Sequence, residues 1–380
     1  MTARQPRRAG PHGRRRDVAA LLGALALLAA LVTAQLVVGG RLVVVPWLAL
    51  SPLAASLLLR WRLTIVAAVA SVAAVAWLSA NTGDLDTYQG IVRVLGSTAL
   101  AGFAVLSAAV RVRREQHVRR VAQVAAVAQA AILHPVPAEV GGVVLASRYV
   151  SATTDALVGG DLYDVVAFGG GVRIIVGDAR GKGLAALHTS AAVLSAFRHA
   201  APQAGQGLDD VARSIEAAIL PALEEEDFVT AVLCEVHPDG RLDLVRCGHP
   251  SPLRLVPGRV PVEVGAHAGP PLGLGVVPLV ETDVLRPGER LLLYTDGLVE
   301  ARDRHGVFFD LPAAAGALAG SGGAPTADAL DRQLDRLLGQ VRAHVGGRLD
   351  DDVAALLVEP LPVVPPGPRV LDLAETGAGA

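Results

Sequence analysis

Lysine is almost absent from this chain: Lys182 stands alone against 33 arginines in 380 residues. A lysine-centred phosphate loop would have to use residues 176–187, VGDARGKGLAAL. A Walker loop needs Gly, four spacers, then Gly-Lys and Ser or Thr. Here Gly177 is one spacer short, and Gly183 replaces the hydroxyl residue. The dinucleotide fingerprint fails too, because Gly181-Lys182-Gly183 is followed by Leu-Ala-Ala and not by a third glycine. Cysteine is equally sparse, with only Cys234 and Cys247, both in apolar strand-like contexts. Two isolated cysteines form neither a disulfide scaffold nor a thiolate metal cluster, so they read as buried thiols. A formal net charge of −2 gives no general electrostatic case for nucleic acid.

Apolar residues, by contrast, make up 52% of the chain, and most of the excess lies before residue 111. Uncharged or nearly uncharged runs at 18–40, 42–59, 63–80 and 91–110 suggest a transmembrane module, 18–110, of about four helices. At about 1.5 Å per residue the first run crosses a hydrocarbon core of roughly 30 Å. It is too long for the apolar core of a signal peptide, and further runs follow. The second is interrupted by Pro46 and Pro52. Arginine distribution sets the topology. Arg4, Arg7, Arg8, Arg14, Arg15 and Arg16 lie in the basic N-terminus, 1–17; Arg60 and Arg62 separate the second and third runs; Arg111, Arg113, Arg114, Arg119 and Arg120 follow the fourth. Both ends are therefore expected on the cytoplasmic side of a cell membrane, in contact with its lipid. Residues 111–135 read as a helical linker, whose apolar positions Val118, Val121, Val124 and Val127 recur every three residues and offer a homodimer contact without a clean heptad.

After Pro135 and Pro137 short β-rich runs begin. DLYDVVAF, a glycine turn and VRIIVGD read as one hairpin; VTAVLCEV, HPDG and RLDLVRCG as a second; ETDVL, RPGE and RLLLYTDG as a third. Helices are expected after Gly183 and over 327–345, a last strand at DDVAALLVE, and a Pro/Gly-rich disordered tail over 361–380. Centring the first turn on Gly170 sets Asp161 opposite Ala179 and Leu162 opposite Asp178, leaving the two carboxylates roughly 5–8 Å apart. Carboxylates this close repel unless one is protonated or a cation lies between them. Aspartate-rich, histidine-poor surroundings select magnesium or manganese. Asp296 and Asp351 also sit at strand ends. Singly, each reads as an ordinary turn or solvated terminus; four in one domain, two of them paired, point to a metal centre.

Together these residues resemble a family. Gly159-Gly160-Asp161-Leu-Tyr163-Asp164, Gly177-Asp178-Ala-Arg-Gly181-Lys182-Gly183, Thr295-Asp296-Gly297 and Asp351-Asp352-Val are similar to the ordered motifs of PPM (type 2C) metal-dependent serine/threonine phosphatases, in particular the SpoIIE-like bacterial subgroup. Further points of similarity, among them Pro135, Arg148-Tyr149 and Gly248-His249-Pro250, extend from about Gln129 to Pro360. The resemblance implies an α/β (α+β) four-layer sandwich over 136–360, two antiparallel β-sheets flanked by helices, preceded by the all-α transmembrane module. It also implies two Mn2+ or Mg2+ ions. Asp178 would bridge them, the Ala179 carbonyl would assist, and Asp161, Asp296 and Asp351 would complete the shell. Gly160, Gly177, Gly181, Lys182, Gly183, Gly297 and Asp352 would support them. Ala179 replaces the family's frequent Val or Met, and Ala354 a frequent threonine; neither change removes a ligand. His249 is either an acid catalyst or a turn-stabilising residue. The implied activity is hydrolysis of phosphoserine or phosphothreonine on a cytoplasmic regulator, an anti-sigma-factor antagonist in partner-switching control of transcription. Another two-metal enzyme, such as a membrane nucleotide cyclase or phosphodiesterase, and a non-catalytic membrane scaffold remain as alternatives.

Overall fold

In the computed structural model, residues 11–38, 45–151, 159–224, 226–320, 325–347 and 349–362 are described; the tail expected over 361–380 lies almost wholly outside them. The chain divides into two compact units, Met1–Arg120 and Val121–Ala380.

The first unit is helical. α1 (Pro11–Val38), α3 (Trp61–Asn81) and α4 (Tyr88–Ile132) are each long and apolar enough to cross a membrane. The second apolar run behaves differently from the expected span. A 3-10 turn (Val45–Ala49) leads into α2 (Leu50–Leu58), which at 9 residues is only about 14 Å long. Pro46 falls within the turn and Pro52 in the first helical turn, where no backbone donor is needed. Polar side chains tie this segment to its neighbours where water is excluded: Ser51 Oγ donates to the Ala24 carbonyl and Ser71 Oγ to that of Leu48, both at 2.8 Å. Arg111 closes the far end, its guanidinium donating to the Ser56 and Leu59 carbonyls at 3.1 and 2.6 Å. These are among the carbonyls that the end of α2 leaves unpaired. Arg60 and Arg111 thus sit at one level of the helical unit. The fourth apolar run and the linker form one unbroken helix of 45 residues.

In the second unit β1 (Glu139–Val140), β2 (Val143–Val150), β3 (Asp161–Phe168) and β4 (Gly171–Ala179) are followed by α5 (Leu184–Ala200) and α6 (Leu208–Ile219). Next come β5 (Val229–Val236), β6 (Arg241–Cys247), β7 (Leu253–Leu255), β8 (Val262–Glu263), β9 (Glu281–Val284) and β10 (Arg290–Tyr294). The short helices α7 (Asp296–Val299) and α8 (Leu311–Ala315), then α9 (Ala327–His344) and β11 (Val353–Pro360), complete it. The strands form two antiparallel sheets, ordered β1-β2-β11-β10-β7-β8 and β3-β4-β5-β6-β9. Alternation along β4 shows how the layers form. Val172, Ile174 and Val176 enter the core between the sheets, while Ile175 faces the cluster built by α5 and α6. On β11, Ala354, Leu356 and Val358 face inward, and Val353, Ala355 and Leu357 meet Leu330, Leu334, Leu337 and Val341 of α9. Both faces of these strands are buried, so they read as continuous apolar runs. This is the four-layer sandwich expected from the sequence.

The third hairpin does not form. β9 pairs with β6 in one sheet, whereas β10 lies between β7 and β11 in the other. A turn signal such as RPGE reports that the chain bends, and carries no information on which strand it then joins. Burial separates the two: RLLLY is buried throughout and occupies an interior position, while ETDV alternates between half-buried and exposed and lies at an edge. Nearby, the buried Glu216 carboxylate accepts the backbone N–H groups of Gly273, Gly275 and Val276 at 2.8–3.1 Å, fixing the loop that leaves β5's partner Leu272.

Candidate metal centre

Gly169 and Gly170 make the turn between β3 and β4, with φ of +51° and +87°. Two consecutive left-handed residues give the two-residue turn whose twist matches a hairpin. Its centre therefore lies between Gly169 and Gly170, with Phe168 opposite Gly171. Asp161 consequently faces Asp178 directly, not Ala179 as centring the turn on Gly170 had suggested. The one-residue correction brings the two carboxylates onto the same face. Asp296 arrives from the other sheet, at the start of α7 just beyond β10.

Ligand-type oxygens of Asp161, Asp178 and Asp296 all lie within 4.8 Å of one another. Asp161 is buried, the other two half-buried. Burial and then the Asp178 charge push the Asp161 carboxyl well above the usual carboxylate range. Burial, followed by Asp296 and Asp351, pushes Asp178 up to about 7. Asp296 is raised by burial and by Glu300. Among the described residues, no lysine or arginine pairs with any of the three. An all-oxygen set that resists ionisation until positive charge arrives suits a hard divalent cation.

The surrounding residues hold this arrangement. Thr295 Oγ donates to Asp161 at 2.8 Å and accepts the Ala354 N–H at 2.9 Å, linking β3 to the β10–β11 pair. Gly160 admits the Ala179 carbonyl against its α-carbon: a Cβ there would lie 2.0 Å from that oxygen and 2.7 Å from Asp178 Oδ1. Asp352 is buried and accepts the Gly159 N–H at 2.9 Å and the Tyr149 hydroxyl, while Tyr149 accepts from Gln129 Nε2 at 2.7 Å. Asp351, expected in the shell, stands outside the cluster of three; its exposed carboxylate meets Lys182 Nζ at 3.1 Å.

His249 is buried between the sheets. Its Nε2 lies 3.0 Å from the Tyr294 carbonyl, which can only accept, so Nδ1 accepts from the Thr230 hydroxyl at 3.0 Å. Burial lowers its pKa to about 4. A neutral imidazole with both nitrogens engaged ties β5 to β10 and is not an acid catalyst. Thr295, Tyr149 and Gln129 carry roles that the sequence reading did not assign. Their signal was their place in or beside the motifs, and only the fold supplies their partners.

The raised Asp178 pKa gives a prediction. Between the unfolded value near 4 and about 7, the folded metal-free protein binds more protons than the unfolded chain, so stability falls as pH rises through that window. Calorimetry in EDTA is expected to show a lower Tm at pH 8 than at pH 5, and saturating Mn2+ to remove the fall, since the cation requires the ionised form.

A family model described as Stage II sporulation protein E (SpoIIE) matches residues 169–360. Among solved structures, the PP2C domain of SiaA from Pseudomonas aeruginosa is 20% identical with a TM-score of 0.53; the match covers 66% of this chain and 99% of that one. The RsbU and RsbW domains of a Mycobacterium tuberculosis protein are 24% identical with a TM-score of 0.51, covering 60% of this chain. The chain spans only 62% of the length of that protein. At these identities the structures show a shared fold.

Proposed function

The chain belongs to the SpoIIE family and shares the PP2C fold, and on that premise we propose that it is a membrane-anchored, metal-dependent serine/threonine phosphatase acting on a cytoplasmic phosphoprotein regulator. The convergence of Asp161, Asp178 and Asp296 from two sheets carries this reading. These residues, with the Ala179 carbonyl and Asp351, would hold two Mn2+ or Mg2+ ions. When bound, the ions supply Lewis-acid activation of water and of the phosphate monoester. The chain's own residues do the rest. Asp178, central among the acids, orients the shell; Thr295 and Asp352 keep its strands in register; Lys182 adds positive charge at the rim, where a phosphate dianion arrives. No side-chain nucleophile is required. Burial pushes the Cys247 thiol up to about 12 and raises Cys234 as well, leaving both inert.

The family resemblance supports a phosphorylated anti-sigma-factor antagonist as substrate. The three long apolar helices and the shared level of Arg60 and Arg111 support a multi-pass, lipid-embedded module with the N-terminus and the phosphatase domain on the cytoplasmic side. Exposed Val118, Val124 and Val127 on α4 support a homodimer through that helix. The test uses the full chain in lipid nanodiscs with Mn2+ and phosphorylated antagonists from the same organism. Phosphate release that EDTA abolishes is expected, with no turnover of ATP or cyclic nucleotides. Turnover of either nucleotide would replace this reading with the cyclase or phosphodiesterase alternative. Mn2+ binding without any dephosphorylation would favour a scaffold.

A further inference from the structure

We infer that Lys182 is a built-in competitor for the second cation, holding the Asp351 carboxylate until an ion displaces it. This inference rests on the metal-dependent reading above. Three acids form the cluster, and the fourth, near enough for its charge to raise Asp178 and Asp296, contacts the one lysine in the chain. Asp351 Oδ1 takes two donors, Lys182 Nζ at 3.1 Å and the Asp352 N–H at 3.0 Å. The loop itself is fixed, because the next residue, Asp352, is anchored through Gly159 and Tyr149. Asp351 therefore joins the other acids by a side-chain movement that breaks the lysine contact, without rearrangement of the backbone. On the other side, Lys182 is borne between Gly181 and Gly183, with φ of +103° and +87°, in a loop that starts α5. Its ammonium reaches across to a residue 169 positions away in sequence.

The pair is half-exposed on both sides, 47% and 51%, so its strength is that of a surface ion pair. Such a contact is weak enough for a divalent ion to displace and strong enough to shift an affinity by up to about fivefold. Two cation sites of unequal affinity follow. The site formed by Asp161, Asp178 and Asp296 fills first; the site that needs Asp351 fills later, against the lysine.

The test is an Mn2+ titration of the full chain followed by electron paramagnetic resonance, which counts free ion and needs no turnover. Wild type is expected to show a tighter and a weaker class of site. Lys182→Met is expected to tighten the weaker class about fivefold and the tighter class less, Lys182→Arg to leave both near their wild-type values, and Asp351→Asn to remove the weaker class. Equal tightening of both classes by Lys182→Met would reduce the lysine to a general field effect and overturn the inference, as would superimposed isotherms or a weaker class that survives Asp351→Asn. In either case the metal-dependent reading would stand. Wild type binding no Mn2+ would overturn both.

Discussion

Asparagine at position 178 will eliminate manganese-dependent phosphate release and, at the same time, make the metal-free protein more stable. Losing a central ligand of the proposed centre would remove Lewis-acid stabilisation worth several kcal/mol, so a fall in kcat of at least ~1000-fold, about 4 kcal/mol, is expected. The stability gain has a separate origin. Three carboxylates within 4.8 Å repel, each ionised pair by at least about 3 kcal/mol at an effective dielectric near 20. Asp178 has the most acidic neighbours of the three, and its carboxyl titrates at about 7. In EDTA at pH 8, Asp178→Asn is therefore expected to unfold at a higher temperature than wild type, and at pH 5, where the wild-type carboxyl is already protonated, the gap is expected to close. Activity loss accompanied by destabilisation at pH 8 would mean that Asp178 supports the fold and not a cation.

Alanine at position 160 is expected to damage the same centre through the backbone. The added Cβ would lie 2.0 Å from the Ala179 carbonyl oxygen. Neither partner is free to move, because the Gly160 carbonyl accepts both the Ala179 N–H at 3.1 Å and Ser190 Oγ at 2.7 Å. Relief requires a strand shift on the order of 1 Å, costing about 2–4 kcal/mol of stability and about 100-fold in activity through misplacement of Asp178. Gly339→Ala is the matching control. Gly339 lies in α9 with open space at its Cβ position, and alanine there is expected to stabilise by up to about 1 kcal/mol. Near wild-type activity in Gly160→Ala would remove the Ala179 carbonyl from the proposed shell.

Much of this site could be read from the sequence because hairpin geometry is local. Asp161 and Asp178 were recognisable as neighbours from two apolar runs and a glycine turn. The exact register was not, since Gly169, Gly170 and Gly171 offer adjacent turn centres that only the strand twist separates. Long-range pairing was less legible. ETDV and RLLLY follow one another around a good turn yet join different sheets, a choice made by burial demand and not by any local signal. Asp351 and Asp352 are identical in sequence terms. Only the fold buries one against Gly159 and Tyr149 and leaves the other facing Lys182. In the helical unit, composition located the apolar runs, but the shortness of α2 follows from a 3-10 turn at Pro46 that hydropathy does not register.

The near-absence of lysine also has a practical side. An amine-reactive dye or crosslinker has, besides the α-amino group, one side-chain target in the whole chain, and that target is half-exposed at the rim of the carboxylate cluster. A lysine-specific protease likewise has one peptide bond to cut, between Lys182 and Gly183 at the start of α5. The protein thus carries a natural single-position chemical handle beside its proposed catalytic centre, addressable without any engineered cysteine.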